Sequence, residues 1–550
     1  MKLLWDVAIP LRDGVRTSAD VFVPEVVPAP AILVRTPYGK QGPVTRAAAE
    51  RFCAQGYVVV VQDVRGRHDS EGHWTPFVHE AADGCESVEW VAAQPWCTGQ
   101  VATWGGSYLG WTQWALARER PPHLAAVAST ASAGRLAEEL PFDRGIPTPL
   151  MAAWLHLVGG RVQQDPSRVD WPSVLRHLPL RDLGDALGRE LPLWQEWLEH
   201  PGLDDYWRAI RVDDCLPDFD VPAMHVTGWF DDDQAGALLA WDRMRVHPEQ
   251  TLVIGPWDHG GTRTPQRHLG GVDFGADAVV DVLAVHVQWY DRQLRGRGEA
   301  VPRVRLFLTG RDGWVATTDF PPPGGTVRRL FLGSGAALTD DAGDAHGGCD
   351  SYAYDPADPV PALVDEDVYG SAVETPLDRR FQMDRPDVLA YTSVPFAQEA
   401  IVCGIPWMTL HAASDCPDTD WMIALHDVAP DGTCLQLAQG RMRARFRKGL
   451  DREVLLEPDA VEHYEIELSA VGHVVRAGHR VRVTVTSSDF PTWDRNANTG
   501  ATIGTDTTFR IATNTVHHTS SIALPIADDG ALQPYGRMPL VTAEEVKPTV

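Results

Sequence analysis

The 550 residues carry 75 Asp and Glu against 48 Lys and Arg, a formal charge of −27, with 44% apolar and 22% charged side chains. So acidic a balance argues against nucleic acid and anionic membranes as partners, and no apolar run approaches the roughly 20 residues that span a bilayer. The length exceeds what one hydrophobic core supports, so about three or four domains are expected.

The N-terminus, Met1-Lys2-Leu3-Leu4-Trp5-Asp6, meets charge at once and lacks the long apolar stretch of a secretory leader,. Eight cysteines are scattered without a Cys-x-x-Cys pair, which reads as reduced, packed thiols,. A cytoplasmic protein is expected. Val7, Ile9 and Leu11 alternate up to a turn at Asp13-Gly14, and Val15–Val23 answers them as a hairpin,. The runs Ala31–Val34 and Tyr57–Val61 are apolar throughout, as parallel strands covered on both faces are,. Thr45–Gln55 between them is helical in character and stops at Gly56,. A helix over Ala81–Gln94 leads to a strand ending at Trp104, and Leu124–Ala128 is the next strand. Strands resume at Met224–Gly228 and Thr251–Ile254, with amphipathic stretches at Ala235–Val246 and Ala278–Arg295. This alternation predicts a doubly wound α/β domain.

Between about Ser132 and Val221 no strand-like run occurs, and Trp154, Trp171, Trp194, Trp197 and Trp207 sit among Leu, Arg and Asp. A helical insertion capping the active site is predicted there. Pro321-Pro322-Pro323-Gly324-Gly325 reads as a linker, followed by short alternating runs such as Val327–Leu332 and Val481–Val485,. The predicted division is therefore an α/β core over 1–131 and 222–320, a cap over 132–221, and a β-sandwich or jelly roll over 321–550.

The chemistry starts at Val101-Ala102-Thr103-Trp104-Gly105-Gly106-Ser107-Tyr108-Leu109-Gly110. An apolar run, small residues around a serine and a helix-compatible continuation form a nucleophile elbow. The usual second glycine, two residues after the serine, is displaced by one, to Gly110. A serine needs a base, an orienting acid and an oxyanion hole. In α/β-hydrolases the order is Ser, acid, His, each after a strand. Asp231 follows Met224–Gly228 and His259 follows Thr251–Ile254, so Ser107, Asp231 and His259 satisfy order and position, although Asp232 and Asp233 adjoin the proposed acid. A neutral His259 base predicts activity that rises with pH through an apparent pKa near or somewhat below 7.

These motifs resemble the cocaine esterase and X-Pro dipeptidyl-peptidase family of α/β-hydrolases, which includes glutaryl-cephalosporin acylases and α-amino-acid ester hydrolases. Gly105–Gly110 matches the family's Gly-x-Ser-Tyr-x-Gly elbow, Gly228–Asp231 its acid loop with Phe230 in place of Tyr, and Gly255–His259 its Gly-Pro-Trp-x-His loop. Arg35-Thr36-Pro37-Tyr38, Gln62–Arg67, Arg385–Ser393 and Ser487–Gly500 extend the resemblance over nearly the whole chain. It implies a hydrolase core, a helical cap and a C-terminal jelly roll, with the oxyanion held by the Tyr38 hydroxyl and the Tyr108 backbone N–H. The function implied is a serine hydrolase acting on a small ester or amide through an acyl-enzyme, with no cofactor. The rivals are an X-Pro dipeptidyl-peptidase, an α-amino-acid ester hydrolase and a non-catalytic protein that binds a ligand through its β-domain.

On the substrate side, Trp154 either packs the cap or lines an acyl pocket, and Phe230 stands beside the acid. Asp233, with Glu138 or Glu139, is placed to meet a substrate ammonium, although Gln234 replaces the next acid of the amine-recognising relatives. Asp494–Gly500 lacks the glycine and terminal glutamate of a calcium loop, so no metal site is assigned,. Oligomeric state is left open.

Overall fold

The computed structural model describes residues 1–341, 347–362 and 376–541; the stretches 342–346, 363–375 and 542–550 of the predicted β-domain lie outside the described residues. The first hairpin is β1 (Lys2–Pro10) and β2 (Arg16–Val23), followed by β3 (Ala29–Thr36) and β4 (Val58–Asp63). The two apolar runs explain what comes next. Ala31, Leu33, Val58 and Val60 pack into one cluster while Ile32, Val34, Val59 and Val61 pack into another. Successive side chains point to opposite faces of a strand, so an uninterrupted apolar run must be covered twice. Helix α1 (Pro43–Ala54) covers one face, and α2 (Glu80–Ala92) the other.

The sheet continues through β5 (Cys97–Gly106), β6 (Leu124–Thr130), β7 (Ala223–Phe230), β8 (Gln250–Asp258), β9 (Val304–Leu308) and β10 (Gly313–Thr317). Its order is β1-β2-β4-β3-β5-β6-β7-β8-β9-β10, with Gln533–Pro534 as an eleventh strand on β10. From β4 to β9 every neighbouring pair runs parallel. Helix α3 (Tyr108–Trp114) follows β5 directly. The cap between β6 and β7 contains α4 (Leu150–Leu157) and other short helices, and its Trp194, Trp197 and Trp207 share one apolar cluster with Trp111 and Trp114 of α3. It also holds a hairpin of two-residue strands, Phe142–Asp143 and Ile146–Pro147, too short to show as alternation in sequence. Helices α5 (Gln234–Met244) and α6 (Val282–Arg295) complete the core.

Among the described residues, thirteen further strands, from Thr326–Gly333 to Ser521–Ile526, wrap around a third cluster that includes Trp421, Ile423, Tyr464, Ile466 and Val483. This C-terminal domain is keyed into the hydrolase core. Thr309 exchanges backbone hydrogen bonds with Gly472 and Val474, and a Cβ at Gly472 would come 2.3 Å from the Trp229 ring. The buried Gln234 side chain donates to Gly228 O, Trp229 O and Ala470 O and accepts from Ala470 N at 2.6 Å. A buried amide deprived of such partners costs about 1–3 kcal/mol each. Gln234→Ala is therefore expected to lower the thermal midpoint by a few degrees and to reduce kcat, read by scanning fluorimetry alongside initial rates. An unchanged midpoint would show that the clamp is dispensable.

Candidate active site

The turn after β5 forces Ser107 into φ 60°, ψ −130°, a conformation that a residue with a side chain adopts only when its surroundings impose it,. Its N–H donates to Thr130 O and Ala131 O at the end of β6, and its carbonyl accepts from Gly110 N and Trp111 N in α3. The displaced glycine now has a reason. A Cβ at Gly110 would lie 2.7 Å from Ser132 and 2.8 Å from the Ser129 hydroxyl, so α3 approaches β6 most closely there. Leu109 instead packs over Gly105, where any Cβ would meet it at 2.5 Å.

Strands β7 and β8 end side by side and bring their loops together. Asp231 is fully buried. It accepts the Thr227 hydroxyl at 2.7 Å and the Asp233 N–H at 3.2 Å, and its other neighbour is His259 Nδ1 at 2.9 Å. The Nδ1 position lies at the same distance from Asp232 Oδ1 and 3.8 Å from Asp233 Oδ2. Carboxylates on one ring nitrogen place the proton there and leave Nε2 as the basic nitrogen. Burial works against the imidazolium, but the Asp232 charge and the two carboxylate hydrogen bonds outweigh it and raise the His259 pKa well above its ordinary 6.5. Among the described residues, Asp231, Asp232 and His259 are the grouping compact enough to hold a cation, with donor atoms within 4.8 Å of one another. The imidazole is already committed to the carboxylates there.

Ser107, His259, Tyr38 and Tyr108 line one cavity of about 230 Å³, with Phe77, Trp111, Leu140, Leu150, Met151 and Trp154 as its apolar wall and Glu139, Asp232 and Asp233 at its acidic end. The Tyr38 hydroxyl accepts from Trp154 Nε1 at 3.0 Å and interacts with the Ser107 side chain. The Trp154 bond occupies a lone pair of the phenol and leaves its proton free to donate. The Tyr108 ring is turned away: its hydroxyl donates to Glu80 at 2.7 Å, and Glu80 is paired with Arg35 at 2.7 Å. No partner for the Tyr108 backbone N–H occurs among the described residues.

Two of the sequence expectations are corrected. Phe230 does not line the cavity; its ring stacks on Phe274 in the core at 5.9 Å. Glu138 is paired with Arg211 at 2.7 Å and lines a separate, smaller cavity. Glu139 and Asp233 do reach the site. Glu139 accepts N–H groups from Gly134, Arg135 and Gly236, yet burial pushes its pKa up to about 7. Burial and then the Asp232 charge raise Asp233 well above the carboxylate range. The sequence did not single out Asp232 as a partner of His259, nor Trp493, which the β-domain contributes to the cavity wall. Arg67 closes the Gln62–Arg67 motif. It is fully buried and donates to Pro37 O beside Tyr38, to Val158 O at the end of α4 and to Gly160 O.

The strand order and the strained serine after β5 place the protein among the α/β-hydrolases. Known proteins narrow the class. Residues 13–261 match the model of the X-Pro dipeptidyl-peptidase (S15) family, and residues 297–522 match that of the X-Pro dipeptidyl-peptidase C-terminal non-catalytic domain. A cocaine esterase of Rhodococcus sp. (strain MB1 Bresler) is 33% identical, over 95% of this chain and 98% of its own. An aminopeptidase from a marine sediment Thaumarchaeota archaeon has a TM-score of 0.87 at 26% identity, covering 95% of this chain and 97% of the other. An α-amino acid ester hydrolase has a TM-score of 0.86 at 25% identity, covering 96% of each. The chain belongs to the cocaine esterase and X-Pro dipeptidyl-peptidase family, and it is a serine hydrolase. Among the described residues no helix is long and apolar enough to cross a membrane.

The raised His259 pKa bears on the pH dependence. The base must be neutral to act, so the acidic limb of kcat/KM should lie above the ordinary histidine value,. Asp232→Asn removes the charge that favours the imidazolium and should move the limb to lower pH by about one unit, equivalent to ~1.4 kcal/mol. A limb that stays in place in the variant would show that Asp232 does not act on His259.

Proposed function

We propose that the protein hydrolyses a small carboxylic ester or amide through an acyl-enzyme. Ser107 Oγ attacks the carbonyl while His259 Nε2 takes its proton, and Asp231 stabilises the imidazolium from the other ring nitrogen. The negative charge forming on the carbonyl oxygen is met by the Tyr38 O–H and the Tyr108 N–H. His259 then protonates the leaving group, and the acyl-enzyme is cleaved by water in a second pass through the same base. The observation that carries this reading is the contact of His259 Nδ1 with the dry Asp231 carboxylate, with His259 lining the same cavity as Ser107 at its elbow. Eight unpaired cysteines support a reducing compartment, the cytoplasm,.

Ser107→Ala is expected to lose several orders of magnitude in kcat on a p-nitrophenyl ester and all labelling by a fluorophosphonate, with its thermal midpoint unchanged. A folded variant with comparable turnover would overturn the nucleophile assignment.

The acidic end of the cavity favours a free α-amine on the acyl group. Asp233 and Glu139 are both buried, and both have pKa values raised by that burial. A substrate ammonium supplies the positive charge that would ionise them, while the aromatic wall takes the side chain of the acyl group. The similarity to an aminopeptidase and to an α-amino acid ester hydrolase supports the same reading. Aminoacyl esters should be cleaved about tenfold or more faster in kcat/KM than their N-acetyl counterparts, and Asp233→Asn should remove most of that preference. Equal rates on the two esters would leave a plain carboxylesterase.

A further inference from the structure

One cation beside the reacting atoms has no partner among the described residues. Arg263 lies four residues after His259, on a loop fixed by its own hydrogen bonds: Thr262 Oγ1 donates to His259 O, Gly261 N to Asp258 Oδ1, and Arg263 N to Gly260 O. The Arg263 backbone is thereby set relative to the base. Its side chain extends toward the elbow and occupies the room left by a missing side chain, since a Cβ at Gly106 would lie 3.0 Å from Nη1 and 3.4 Å from Cδ. Its charge acts on both His259 and Tyr38. Among the described residues, however, its guanidinium donates no hydrogen bond and makes no ion pair, in a protein of charge −27 where most buried or half-buried arginines are paired.

The position of this guanidinium says which part of a substrate would meet it. The cavity, with its aromatic wall and acidic end, holds the acyl group, and Arg263 is not among its lining residues. The leaving group must lie toward His259, because that residue protonates it. Arg263 stands on the His259 loop and flanks the elbow from the Gly106 side. We propose that Arg263 forms an anion-binding subsite for the leaving group, so that preferred substrates carry a carboxylate on their alcohol or amine portion. A planar guanidinium matches a carboxylate with two parallel N–H···O bonds. This inference rests on the hydrolase mechanism above and adds the leaving-group class to it.

The test is the wild-type rate ratio for two esters with the same butyryl group, 3-butyryloxybenzoate and 3-butyryloxybenzamide, which differ in charge but little in shape. The carboxylate ester should be favoured about tenfold in kcat/KM, the size expected for a partly exposed charge-assisted pair, and the advantage should shrink as salt is raised. Arg263→Gln should bring the ratio to one or below, and Arg263→Lys should keep part of it. A wild-type ratio at or below one, or an Arg263→Gln variant that slows both esters equally, would overturn the subsite and leave Arg263 acting only through its field on His259. Should the variants fail to fold, benzoate must inhibit wild-type hydrolysis of the neutral ester competitively and more strongly than benzamide; equal inhibition would also overturn it. Hydrolysis of the neutral ester, lost in Ser107→Ala, reports on the serine mechanism independently of the ratio.

Discussion

The molecule depends on keeping the Asp231 carboxylate dry and still. A carboxylate removed from water interacts strongly with an imidazolium, and it is tolerated there provided its lone pairs are satisfied. Asp231 meets both conditions through the Thr227 hydroxyl, the Asp233 N–H and His259. Those partners stay in place because the turn that bears them is tied at both ends: β7 enters it from the sheet, and Gln234 leaves it with its amide bound to the β-domain. A domain whose family description is non-catalytic therefore holds the acid in register and, through Trp493, closes one side of the cavity.

The opposite side of the cavity is braced in a different way. Tyr38 sits on a loop whose Lys40 is buried and bonds through its backbone N–H to Asp63 and through its ammonium to Asp6, Asp63 and Asp69. Arg67 reaches the same loop at Pro37 and ties it to α4, the helix that carries Trp154. Arg67 lies over the Trp74 ring at 5.0 Å and spends its donors on backbone carbonyls, and burial pulls its pKa down to about 10. Placing an arginine in such a site is costly, and what it secures is geometry: a phenol already aimed where charge will develop needs no reorganisation during the reaction. Glu80, held by Arg35, does the same for Tyr108, fixing the ring of the residue whose N–H completes the pair.

What could be read from the sequence was local or periodic. Buried strands declared themselves by apolar runs, and the elbow by small residues around Ser107. Even the shifted glycine was visible, although its cause, the approach of α3 to Ser129 and Ser132, belongs to the fold. Contacts between distant stretches carried no such signal. Nothing near Trp493 marks it as a wall of a cavity built some 385 residues earlier around Ser107, and Glu80 looks like any acid in a first helical turn. The misplacements have the same origin. Phe230 and Glu138 adjoin the right residues in the chain, but neighbouring side chains on a strand or a tight turn face different surroundings. One is drawn into the core by Phe274 and the other toward Arg211. Asp232 was hidden by its neighbours, because three consecutive aspartates offer no way to say which of them shares the imidazole with Asp231.

The Gln234 clamp imposes an uneven evolutionary constraint. All four of its partners are main-chain atoms, belonging to Gly228, Trp229 and Ala470. Since every residue type presents the same carbonyl and N–H, position 470 can drift in identity as long as its backbone path is kept, while position 234 makes its side of the contact with a side chain. The β-domain is thus free to change the side chain at this contact without renegotiating its grip on the acid turn.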